Sequence, residues 1–124
     1  MSETLVLSAL PKTWILDLDG TVLVHNGYLT EAGDCLLPGV KDFFDALPAE
    51  DMVIFITSRS VKYKAATEAF LQNSGIRFHT VIYDAPYGER ILINDRKPSG
   101  LRTAYALNPE RDTFSISTVT DPAL

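Results

Sequence analysis

The sequence predicts an α/β domain, a three-layer, doubly wound parallel sheet, on three observations. Short apolar runs alternate along the chain with stretches of helical periodicity. The runs are apolar on both faces, as strands of a parallel sheet covered on both sides are. Polar residues end each run, and in such sheets ligands gather outside the carboxyl ends of the strands.

The elements follow in order. WILDL (14–18) is short and apolar and Gly20 punctuates its end, which predicts a buried strand. Asn26-Gly27 predicts a tight turn or small hairpin within VLVHNGYL. After Pro38-Gly39, the residues Val40, Phe43, Phe44 and Leu47 recur at helical spacing. MVIFITS (52–58) is a second strand. SVKYKAATEAFLQNSG is a helix with Ser60 as cap, Ala65, Ala69 and Phe70 on its apolar side and Gly75 as its stop. FHTVIYD (78–84) is a third strand, and a Pro/Gly connection over 85–88 leads to a fourth, RILIND (90–95). A helical turn over 99–103 and a last strand, AYALN (104–108), complete a core over 1–110. The polar, Ser/Thr-rich remainder predicts a loosely held tail over 111–124.

Composition narrows the function. A chain of 124 residues with 46% apolar and 22% charged residues reads as one soluble globular domain. A net charge of -5 and a pI near 4.8 argue against nucleic acid and anionic membrane as partners. Cys35 is the single cysteine, so no intramolecular disulfide forms, which suits a reducing cytosol. Glu3 stands where a secretory signal carries positive charge, and no apolar stretch approaches the roughly 20 residues that span a bilayer. A cytoplasmic protein is expected.

The chemistry starts at Asp17 and Asp19. On an extended backbone, side chains two apart leave on the same side, and two unpaired carboxylates resist ionising together. A hard divalent cation resolves this, magnesium (Mg2+) above all, with Asp95 from a neighbouring run as a third anionic oxygen. One carboxylate can then attack phosphorus to give an aspartyl-phosphate. The other serves as general acid and then as base. Thr57 and Ser58, at the end of the second run, are placed to bind phosphoryl oxygens. A cationic side chain is needed beside them.

DLDGT, the apolar run ending in Thr57, and ILIND, in that order over residues 14–108, resemble the haloacid dehalogenase (HAD) superfamily of aspartate-dependent phosphatases. The resemblance implies a HAD-like Rossmannoid core with Asp17 as nucleophile and Asp19 as general acid/base. It places the Asp17 side chain, the Asp19 carbonyl and Asp95 on magnesium, with Asn94 where the superfamily usually has a further acid. Gly20 and Thr21 would open its squiggle and flap. For its third motif, Ala85-Pro86 stands where similar small phosphatases carry Lys-Pro, leaving Arg90 and Lys97 as phosphate-binding candidates. Arg59 has two readings, substrate contact or structural ion pair, and His25 falls in the flap, where it can meet a leaving group. His79 reads as structural and Asp84 as a loop cap.

The segments between these motifs leave no room for a cap domain, so the resemblance implies an open site that takes bulky substrates or borrows a lid from a second subunit. GERILINDRKPSG is similar to small capless phosphatases of bacterial surface-sugar pathways, which points to a phosphorylated sugar or related metabolite. Two alternatives stand beside this. One is a phosphoprotein or nucleic-acid end phosphatase; the other, motivated by Asn94, is a non-catalytic HAD-like domain that holds a partner.

Overall fold

A computed structural model describes residues 3–124. Along the chain lie β1 (Glu3–Leu7), β2 (Thr13–Leu16), α1 (Val40–Ala46), β3 (Met52–Ile56), α2 (Lys64–Asn73), β4 (Thr80–Ile82) and β5 (Ile116–Thr120). The fold is α/β with parallel sheets. One has three strands in the order β2-β3-β4, and the other pairs β1 with β5.

Register sets the core. Trp14 lies opposite Val53, and Leu16 opposite Phe55, which in turn faces Val81. Partners in a parallel ladder share a face, and this face is the buried one, with Leu16, Val53 and Phe55 in the core and Trp14 and Val81 packed against it. Phe44 of α1 meets the Phe55 ring at 5.9 Å, while Phe43 packs edge-on against Trp14 at 5.2 Å. The other face is not covered to the same degree: Ile15 is 47% exposed, and Met52 and Ile82 are exposed too. The strand entries are pinned by Asp51, buried, whose carboxylate accepts from Lys12 N (3.0 Å) and Trp14 Nε1 (2.9 Å).

Several expected elements take another form. The chain over 22–29 does not fold into a hairpin of its own. Leu23 bridges Leu36, and Asn26, at φ 56, turns the chain into a 3-10 turn at Gly27–Leu29. Gly27 is required there, because a Cβ would stand 3.0 Å from the Gly33 carbonyl. In α2 the buried side is Thr67 and Leu71 with Phe70 half-buried, while Ala65 and Ala69 are exposed. Leucine and phenylalanine bury far more apolar area than alanine does, so the larger side chains decide which way the helix turns. Ser60 does cap, its Oγ accepting from Lys62 N, ahead of a 3-10 turn at Val61–Tyr63.

The larger corrections lie beyond β4. RILIND is not a fourth strand: Ile91 is 82% and Ile93 91% exposed, and β2 and β4 are the two outer strands of the sheet among the described residues. Apolar character makes a strand only where an edge takes up its N–H and C=O groups. Here Asp84, at φ 59, ends β4, and residues 85–108 run over the surface without ladder pairing. AYALN forms no strand either, and the helical turn expected over 99–103 is a single bend closed by Gly100 N to Lys97 O (2.8 Å). The C-terminal segment, by contrast, is not loose. Phe114 is buried against Phe43 (5.0 Å), and the β-branched run of β5 pairs along all of β1. Among the described residues no helix is long and apolar enough to cross a membrane.

Candidate active site

Beyond Leu16 the backbone stops pairing and turns. Gly20 N donates to Leu23 O (2.7 Å), while Thr21, Val22 and Leu23 N all reach the Leu18 carbonyl (3.2, 3.0 and 2.9 Å). Gly20 sits at φ 81, a conformation glycine adopts without cost. The turn buries Leu18, Val22 and Leu23 and leaves Asp17 and Asp19 on the opposite side, facing a cleft. That cleft holds about 470 Å3, within the ~300–1,000 Å3 typical of small-molecule sites. Its chemistry-bearing walls are Asp17, Asp19, His25, Ser58, Arg59, Arg90 and Arg111, with Tyr28 and Tyr87 beside them. A second cavity of about 370 Å3 lies by Trp14 and Phe43, where Lys12 and Asp51 are engaged with the backbone and the indole.

Arg59 organises the cleft floor. Its side chain is fully buried, and its Nε and Nη2 donate to the two oxygens of Asp19 (3.3 and 2.8 Å). Its Nη1 and Nη2 grip Asp34 in a second fork, both at 2.9 Å, and Nη1 also donates to Thr67 Oγ1 (2.9 Å). A guanidinium has five N–H donors, and these five bonds use all of them. Of its two sequence readings, the structural ion pair is therefore the one realised, and what it fixes is the orientation of Asp19. Burial alone pushes the Arg59 pKa down; the bonds to Asp34 and Asp19 outweigh it and hold the group charged, above its ordinary range. The guanidinium lies over the Tyr28 ring, 4.0 Å from its centre. Burial, with Asp19 nearby, raises the Tyr28 pKa.

Arg90 approaches the other carboxylate. Its Nη1 stands 3.1 Å from Asp17 Oδ1 and also donates to the Ile56 carbonyl (3.1 Å). Lys97 does not line the cleft, and its backbone closes the bend at 97–101. Ser58 lines the cleft, its hydroxyl near the Pro86 carbonyl at 3.4 Å. Thr57 is buried beneath, its Oγ1 accepting from Arg59 N (3.0 Å), so it serves the loop that carries Arg59 instead of forming the wall.

The metal set expected from the sequence is not brought together. Asn94 and Asp95 lie outside the cleft: Asn94 Nδ2 donates to Thr103 O (3.4 Å), and the Asp95 carbonyl accepts from Thr103 Oγ1 (2.5 Å). Among the described residues no three His, Cys, Asp or Glu side chains are grouped to hold a metal ion. The physical reason is the missing strand: without RILIND at the sheet edge nothing carries Asp95 to Asp17 and Asp19, which are matched by guanidinium groups instead. As arranged, the residues do not fit magnesium.

Reasoning from the sequence passed over Asp34, Tyr28, Tyr87, Asp112 and Arg111. Asp112 N donates to Gly20 O (2.8 Å), and its carboxylate accepts from His25 N (2.8 Å), which straps the C-terminal segment to the turn over 20–25 and sets Arg111 against Gly20. No motif announces these positions. The one available signal was that a turn containing His25 and Asn26 needs polar partners from elsewhere in the chain. Comparison of the chain with protein-family models, curated proteins and solved structures gives no match.

Proposed function

We propose that the protein is a phosphomonoester hydrolase that works through an aspartyl-phosphate on Asp17, on the three-layer, capless core that its sequence resembles. The observation that carries this reading is the pairing of two carboxylates at the exit of β2 with two guanidinium groups in one cleft, Arg90 on Asp17 and Arg59 on Asp19. Asp17 attacks phosphorus, and the bond from phosphorus to the ester oxygen breaks as that oxygen takes a proton from Asp19, which enters this step as the carboxylic acid and leaves it as the carboxylate. Water then attacks the phosphorus of the acyl-phosphate while Asp19 takes its proton. Inorganic phosphate leaves and the Asp17 carboxylate is restored. Arg90 offsets the charge gathering between nucleophile and phosphoryl oxygens, an electrostatic contribution realised at the transition state. Arg59, its donors spent, keeps Asp19 turned toward the reacting oxygen.

The sequence resemblance implies magnesium, but the ligands it names are not gathered around one point, and no step above passes through a metal. A phosphorylated sugar or related metabolite is the proposed substrate, in line with a cleft of small-molecule size. The test is hydrolysis of p-nitrophenyl phosphate by the wild type and by Asp17→Asn. Turnover lost in the variant supports the enzyme; absence of turnover across a broad panel of phosphate esters favours a binding domain. The same assay with added magnesium and with a chelator reads the cofactor.

A further inference from the structure

The cleft has one cation more than its own carboxylates need. Arg59 is matched by Asp19 and Asp34, and Arg90 by Asp17. Arg111 lines the same cleft, and among the described residues its guanidinium has neither an ion pair nor a hydrogen bond. It is nevertheless held in place. Its stem packs on Gly20, where a Cβ would stand 3.1 Å from Arg111 Cγ and 3.8 Å from Cδ, and its neighbour Asp112 is bonded to both Gly20 and His25. Arg111 is exposed, so its stem is held by packing on Gly20 while its guanidinium stays solvated and open to an anion in the cleft.

His25 adds a second, independent sign. Its Nδ1 is buried and has no hydrogen-bond partner, and it lies 3.6 Å from the same point above Gly20. A buried polar atom left unsatisfied costs roughly 1–3 kcal/mol, and such an atom calls for an explanation, a water or an ion among them. Both groups line the cleft that contains Asp17, and both are placed by the C-terminal strap. A phosphoryl group held by Arg90 at Asp17 leaves them free for a different part of the same molecule.

We infer that Arg111 and His25 form a second anion subsite, so that the substrate is a phosphomonoester whose leaving group carries a further anionic group, a carboxylate or a second phosphate. The inference rests on the phosphatase reading for what occupies the Asp17 end of the cleft. It explains why an acidic protein keeps an unpaired arginine at this point, and it assigns substrate choice to a segment far from the DLDGT motif in sequence.

The test is calorimetric binding of non-hydrolysable phosphonates: methylphosphonate, with one anionic group, against phosphonoacetate, 3-phosphonopropionate and 4-phosphonobutyrate, which add a carboxylate at increasing reach. A parallel arm uses methylenediphosphonate to separate carboxylate from phosphate. At least one doubly anionic ligand binds the wild type about tenfold more tightly than methylphosphonate. Arg111→Gln removes that advantage and Arg111→Lys keeps part of it. No advantage in the wild type, or one that survives Arg111→Gln, overturns the subsite. Hydrolysis is read separately. A wild type that hydrolyses esters yet shows no Arg111-dependent advantage overturns the subsite alone, whereas one that binds the dianions through Arg111 but hydrolyses nothing overturns the phosphatase reading and upholds the subsite.

Discussion

Arg90 and Asp17 meet at 3.1 Å, the first on a surface segment without regular structure and the second at the exit of an edge strand, β2. Of the two cations named for the third motif, Arg90 lines the cleft and Lys97 is not among the residues that do. Arg90→Ala lowers kcat/KM for p-nitrophenyl phosphate by about 10²–10³-fold, the usual loss when one preorganised donor to a developing oxyanion is removed. Arg90→Lys restores part of it, and Lys97→Ala changes kcat/KM by less than about threefold. Equal losses at the two positions contradict the assignment.

Arg59 is a structural matter first. Its removal leaves Asp19 and Asp34 as charges in a buried site with no partner. Arg59→Ala costs about 3–5 kcal/mol, the range for breaking a buried ion pair on one side, measured by urea denaturation. Asp34→Asn relieves part of that loss in the double variant, since it removes one of the stranded charges. A midpoint unchanged by Arg59→Ala contradicts the two-fork geometry.

The C-terminal segment is tested at Phe114, 8% exposed and packed on Phe43. Phe114→Ala destabilises the fold by about 3–5 kcal/mol. Val119→Ala, at an exposed position of β5, costs about 0.5 kcal/mol or less. A tail held only loosely shows the two substitutions alike and small.

How much of this was legible in the sequence divides along local and distant structure. DLDGT gave its own context, because an apolar run, a punctuating glycine and two acids two residues apart mark a strand exit without outside help. Helix α1 was legible for the same reason, its apolar spacing being its burial pattern. RILIND was not: the residues that make it look like a strand say nothing about whether an edge accepts it, and Ile91 and Ile93 lie exposed. The β1–β5 pairing joins the two ends of the described chain, and pairing at that separation leaves no local periodicity. Arg59 was singled out yet undecided, since its role depends on Asp34, a loop residue that becomes informative once the fold buries it.

Alkaline pH acts through Tyr83. Burial raises its pKa first, and the bond its hydroxyl donates to Glu68 Oε2 (2.9 Å) raises it further. A group with its folded pKa above the unfolded value contributes stability that is fully present below the unfolded pKa, near 10 for tyrosine, and lost as pH rises through the folded one. The wild type is therefore expected to lose more stability above about pH 10 than Tyr83→Phe does, in denaturation series run across that range. Parallel decline in the two proteins contradicts it.

The nucleophile itself can be caught. Wild-type protein mixed with a phosphate ester, quenched in acid and reduced with borohydride converts an acyl-phosphate to an alcohol, and peptide mass spectrometry then locates the altered side chain. The account predicts homoserine in place of Asp17, found with substrate and absent without it. Turnover with Asp17 unaltered, or the modification on Asp19 or Asp95, contradicts it.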